Sequence, residues 1–135
     1  MSAFDAKEWF RLADQDSTTA RFLTNMDPLP IENICYNCAQ AAEKYLKGFL
    51  VYHDIIPQKT HNLALLLKKC IEIDISFANI IQECDILLRY SNEIRYPDGP
   101  DADEDTIDYL LYIIGKIAKL EPIQNIKSNL LFIND

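Results

Sequence analysis

The sequence predicts an all-α fold, an up-and-down helical bundle of about five helices. Three observations predict it. Apolar residues recur every three or four positions in five segments. The 6 prolines fall between those segments, where a missing N–H and a fixed φ do no harm. The 3 glycines are too few for the many tight connections of an all-β sandwich. A chain of 135 residues is the length of one domain and can close a core without disulfides or metals. Its 49 % hydrophobic and 25 % charged residues are an ordinary globular composition.

The first helix is expected over about Asp5 to Thr24, on the stripe Ala6, Phe10, Ala13, Ser17, Ala20 and Leu23, with Trp9 and Phe22 flanking it. After Pro28 and Pro30 the second runs from about Ile31 to His53, with Ile31, Ile34, Cys38, Ala42, Tyr45 and Phe49 inward. Its polar side carries Glu32, Gln40, Glu43, Lys44 and Lys47, and Glu43 stands four residues before Lys47 as a surface pair. Thr60 reads as the N-cap of a third helix that buries Leu63, Leu66, Leu67 and Cys70. Asp74 or Ser76 caps a fourth, on Phe77, Ile80, Ile81, Cys84, Leu87, Leu88 and Ser91, which must stop before Pro97. Asp101, Asp103, Glu104 and Asp105 open the fifth, where acids favour the positive end of the helix dipole. Its face is Ile107, Leu110, Leu111, Ile114, Ile117 and Ala118. The domain boundary is placed at residue 122, with 123–135 a C-terminal tail whose Leu130-Leu131-Phe132-Ile133 is too apolar to lie free and packs on the bundle or on a partner.

Charge narrows the function classes. There are 13 basic and 21 acidic side chains, net −8, with net −2 over residues 1–75 and −6 over 76–135. Such a chain repels phosphate polymers at long range, so a broad nucleic-acid surface is not expected, and a basic site must be local. No apolar run is long enough for a membrane span, and the N-terminus has no basic region of the signal-peptide kind. Cys35, Cys38, Cys70 and Cys84 fit a reduced, cytoplasmic chain. Cys35 and Cys38 have CxxC spacing, but both fall within one helix and the other two cysteines stand singly, so four buried apolar thiols are expected and no metal site. No phosphate-binding glycine loop, nucleophile elbow or cofactor motif is present. The acids of 101–105 read as a solvated helix start. His53 reads as a helix-end residue and His61 as packed at the end of the bundle.

The most unusual segment is Arg89-Tyr90-Ser91-Asn92-Glu93-Ile94-Arg95-Tyr96-Pro97-Asp98, two arginines amid aromatics in the acidic half of the chain. Arginine offers a planar fork of donors to phosphate or carboxylate and stacks on rings. Two readings stand for Arg95: an ion pair at a helix end, or the centre of a nucleotide-binding surface. In the second, Tyr96 and Asp98 lie beside it, and Lys44, Lys47, His61 and Arg89 are candidate neighbours.

Ala39-Gln40-Ala41-Ala42-Glu43-Lys44-Tyr45-Leu46-Lys47-Gly48-Phe49-Leu50, then Thr60-His61-Asn62-Leu63, then Arg95-Tyr96-Pro97-Asp98, resemble the HEPN domain family in order and spacing over about Phe4 to Leu120. The resemblance implies a compact α-helical bundle, a homodimer, and in prokaryotes a gene beside a minimal nucleotidyltransferase. It implies nucleotide binding and membership of toxin–antitoxin or defence systems. Many members of that family are metal-independent ribonucleases built on an Arg, a spacer of four to six residues and a His. This chain departs from that pattern. From Arg95 the His would fall at Pro100, Asp101 or Ala102, and from Arg89 at Ile94, Arg95 or Tyr96, while Arg11 and Arg21 lie far from either histidine. Without it, the usual general base is missing. The expectation is therefore a non-catalytic, cofactor-free nucleotide-binding partner module. The alternatives are an RNA-cleaving toxin with a rearranged site, such as Arg95 with His61, and a purely structural dimerising bundle.

Overall fold

The computed structural model describes residues 3–94, 96–99 and 101–131. Six α-helices follow in order: α1 (Ala3–Leu23), α2 (Ile31–Tyr52), α3 (Leu63–Ile73), α4 (Ile81–Glu93), α5 (Glu104–Ala118) and α6 (Glu121–Leu130), with a 3₁₀ turn at Ile75–Ile80 before α4. There is no strand among the described residues. The predicted all-α class holds, with one helix more than the periodicity alone indicates.

That extra helix lies in the segment expected as a tail. Pro122 occupies its first turn, where a proline costs no hydrogen bond. Ile123, Ile126 and Leu130 recur at helical spacing and are buried. Lys127 on the same helix donates to Asp14 of α1 at 2.9 Å and lies 5.2 Å from the centre of the Tyr45 ring on α2. The side chain of Leu131 is exposed, and Phe132 and Ile133 lie outside the described residues.

α2 is the axis of the bundle and packs against α1, α3, α4, α5 and α6. A helix surrounded in this way is buried on most sides after its first two turns, and its sequence allows it. Ala39, Ala41, Ala42 and Gly48 let neighbours approach, and a Cβ on Gly48 would stand 2.8 Å from the Phe10 ring. The inward stripe expected from periodicity is buried except for Ile31 in the first turn, which is partly exposed, and Cys35, Leu46, Leu50 and Val51 are buried beyond it. The expected surface pair Glu43–Lys47 is buried too, with Glu43 4 % and Lys47 8 % exposed. The period of α2 marks its polar side; it does not reveal that α1 and the α2–α3 connection cover that side. α2 ends with Asp54 in the left-handed region (φ 60°), the Asp54 N–H donating to Val51 and the Ile55 N–H to Leu50, a closed cap over the last carbonyls.

The remaining caps depart from expectation in detail. Asn62, not Thr60, caps α3 by accepting from the Ala64 N–H at 2.9 Å, while Thr60 Oγ1 accepts from the Asn62 N–H. Asp74 caps the 3₁₀ turn by accepting from the Ser76 N–H and hydroxyl, so the fourth helix begins later, at Ile81, and Ile81 itself is exposed. Asp103 caps α5 by accepting from the Thr106 N–H, with Glu104 and Asp105 in the first turn.

Candidate functional site

Midway along α2 its polar side meets the α2–α3 connection and the last turn of α4. Lys47 Nζ donates to Glu43 Oε2 at 3.1 Å, and His61 Nδ1 lies 2.8 Å from Glu43 Oε1. A ring nitrogen facing a carboxylate oxygen carries the proton, so Nδ1–H donates and Nε2 is left as the acceptor. The Glu43 side chain is 5 % exposed and the His61 side chain 81 %. One carboxylate thus anchors a solvent-facing imidazole from below. Lys47 satisfies the other oxygen and lies 5.6 Å from the centre of the Trp9 ring on α1.

The imidazole borders a cavity of about 190 Å³ lined by Tyr36, Ala39, Gln40, Glu43, His61, Ser91 and Asn92. Hydroxyl and amide groups from α2 and α4 therefore converge on the histidine, and the Tyr36 ring is exposed beside them. On the other side of α2, Lys47 enters a larger groove of about 560 Å³ with Trp9, Leu12, Val51, Ile56 and Pro57. The Glu43–Lys47 pair forms the polar partition between the two cavities.

The candidate residues named from the sequence divide as follows. His61 and Lys47 come together through Glu43. Lys44 does not join them; its Nζ donates to Asp16 of α1 at 2.5 Å. Arg89 lies on α4, exposed, with Nε 3.5 Å from Glu93 Oε2. Tyr96 and Asp98 are exposed on the exit from α4. Arg95 lies outside the described residues. The exit is a tight backbone turn in which the Tyr96 N–H donates to the Glu93 carbonyl and the Gly99 N–H to the Tyr96 carbonyl. A Cβ on Gly99 would stand 1.8 Å from the Glu93 carbonyl oxygen, so only glycine fits this approach. Sequence reasoning missed Glu43, Tyr36, Gln40 and Asn92 as site residues. The Glu43–Lys47 spacing was visible, but nothing in the pattern showed that His61, eighteen residues beyond Glu43, folds back onto it.

The four cysteines are free and buried. Burial pushes the Cys35 thiol up to about 11 and those of Cys38 and Cys84 to about 12, and it raises Cys70 further, so all four are poor nucleophiles. No cluster of three metal-ligating side chains occurs among the described residues. His53 is the α2 C-cap, its ring 4.6 Å from that of Phe49. No helix among the described residues is long and apolar enough to cross a membrane.

A six-helix bundle with a central, largely buried helix and an acid-anchored histidine on that helix's polar side defines the class of protein. The model of the HEPN domain family matches residues 6–124, and the chain belongs to that family. No curated protein and no solved structure matches it.

Proposed function

We propose that this HEPN-family chain is a non-catalytic nucleotide-binding module, homodimeric and cytoplasmic, that works beside a minimal nucleotidyltransferase in a toxin–antitoxin type of system. The observation that carries the reading is the Glu43–His61 pair opening onto a cavity of amide and hydroxyl groups. A phosphate or ribose hydroxyl meets the imidazole there, Gln40 and Asn92 offer donors and acceptors to a base edge, and Tyr36 offers a ring to stack on. Arg89, Tyr96 and Asp98 follow in sequence around the end of α4, and with Arg95, which lies outside the described residues, they are the candidates for charge and a second ring. Lys47 supports the site through Glu43 and does not face the ligand, and Lys44 serves the α1–α2 contact.

Calorimetry with ATP and GTP tests the reading. Binding to the wild type is expected, weakened about tenfold or more by His61→Ala and by Arg95→Ala, because each removes a directed contact to the phosphate or sugar. No binding to the wild type, or equal binding to both variants, overturns it. Co-purification of a nucleotidyltransferase with the native protein tests the partner, and a 15.6 kDa particle in light scattering at high concentration counts against the homodimer.

One observation favours the second reading, RNA cleavage by a rearranged site. A carboxylate that fixes Nδ1–H and leaves Nε2 facing solvent is the arrangement a general base requires. Cleavage of RNA by clean protein, lost in both His61→Ala and Glu43→Gln, would replace the non-catalytic reading with this one.

A further inference from the structure

α5 carries a ridge that the cleft does not use. Asp105, Tyr109, Tyr112, Lys116 and the C-cap Lys119 follow at spacings of three and four and so share one face, with Asp108 four residues before Tyr112 at its edge. The order along it is acid, aromatic, base. Tyr109 and Tyr112 are exposed, with ring centres 6.2 Å apart and planes 20° from parallel. Large aromatic rings held together in water are costly to leave uncovered, and they offer a flat surface for another ring.

Beyond Tyr112 the ridge runs into a groove of about 580 Å³ between the ends of α1 and α5 and the start of α6, lined by Arg21, Leu111, Tyr112, Gly115, Lys116, Lys119, Leu120 and Glu121. Three cations gather here in a chain of net charge −8. Lys116 is engaged with Glu83 of α4. Arg21 and Lys119 have no ion-pair partner among the described residues, and Glu121, which shares the groove, pairs with neither. The Arg21 guanidinium is nonetheless held in place. Its Nη2 donates to the Leu111 carbonyl at 3.2 Å and lies over Gly115, where an added Cβ would come within 3.4 Å. One nitrogen fixes the fork, and the remaining N–H groups are left for a ligand.

We propose that this groove is a second binding site, for a nucleoside phosphate: the base stacks on Tyr109 and Tyr112 and the phosphate meets Arg21 and Lys119. Aromatic stacking beside fixed cations is the combination that holds unpaired nucleotides. The order of charges also sets the ligand's length. Asp105 and Asp108 stand beyond the tyrosines and repel a second phosphate, so a strand cannot run the length of the ridge. The ligand is a free mononucleotide or the phosphorylated end of a strand. The site shares no lining residue with the His61 cavity and stands whether or not that cavity binds nucleotide.

The test uses the full chain carrying His61→Ala and Arg95→Ala, so that only this groove is read. The probes are AMP, adenosine, and an adenosine tetranucleotide with a 5′-phosphate or a 5′-hydroxyl. AMP should bind, with adenosine, Lys119→Glu and Tyr112→Ala each weakening binding about tenfold. Both substituted side chains are exposed, so the fold should hold, with an unchanged thermal midpoint as the control. Binding of AMP identifies a free nucleotide as the source, and binding of the phosphorylated tetranucleotide alone identifies a strand end. No binding of any probe, or binding indifferent to both substitutions, overturns the proposal. So does a change in particle mass on Tyr112→Ala with AMP affinity unaltered, which would make the tyrosines an interface between proteins.

Discussion

The two walls of the His61 cavity are built on opposite principles. The α2 wall holds its charges inside the protein: Glu43 and Lys47 are buried, and each polar atom has a partner. α4, whose Ser91 and Asn92 form the other wall, holds its charges outside, with the Arg89–Glu93 pair more than half exposed at both ends. In the low dielectric of the first wall a lost partner leaves a charge stranded, whereas in the second, water replaces it. The same kind of contact, lysine or arginine to glutamate four residues apart, is therefore structural in one place and nearly free in the other. Rigidity in this cavity comes from α2 and adaptability from α4.

The largest test of that difference is Glu43→Ala, which strands Lys47 against Trp9 and releases His61. It should cost about 3 kcal/mol in chemical denaturation. A loss below about 1 kcal/mol would mean that water reaches Lys47 and that the two walls are alike. Next is Gly99→Ala on the exposed wall. The new methyl collides with the Glu93 carbonyl and forces the exit turn open, at a cost of about 1–2 kcal/mol, with weaker nucleotide binding in the same variant. Stability lost without any change in binding would remove the exit from the site.

Glu83 and Lys116, which join α4 to α5, lie between these extremes of burial. Burial alone would raise the Glu83 carboxyl, but the hydrogen bond and charge of Lys116 prevail and hold it below the ordinary glutamate value. The stabilisation is present above that ordinary value and disappears as pH falls through the depressed one. Thermal midpoints of wild type and Glu83→Gln should differ at neutral pH by the equivalent of about 0.5–1 kcal/mol and converge on acidification below the glutamate range. A constant gap would assign the effect to packing. Smallest is Arg89→Ala, expected to shift stability by under about 0.5 kcal/mol, so any large loss would show that the exposed wall is not solvated as described.

The same difference explains what the sequence disclosed. The helices of the bundle could be read because a core-facing stripe repeats along each one, as Leu63, Leu66, Leu67 and Cys70 do on α3. Arg89, Tyr96 and Asp98 could be singled out because unusual residue types cluster in sequence. Glu43 could not. A glutamate four residues before a lysine on the polar side of a helix is ordinarily a solvated pair, and only the fold of the α2–α3 connection makes it the base of a site. Thr60 lost the cap to Asn62 because both types accept hydrogen bonds and they stand two residues apart. α6 escaped notice because its stripe is three residues long and its proline reads as a break, although a first-turn proline starts a helix as readily as it ends one.

The bond from Lys127 to Asp14 has a bearing on how the molecule assembles. It joins positions 113 residues apart, so it closes a longer loop than any other side-chain contact described above. Neighbouring helices such as α1 and α2 meet across a short connection and can associate early, whereas the closure of so long a loop is rewarded last. α6 is therefore expected to dock late, on a core already in place. Interactions absent from the transition state govern how fast a native protein opens and leave its rate of formation nearly untouched. Ile126→Ala on α6 should therefore speed unfolding more than it slows folding in stopped-flow kinetics.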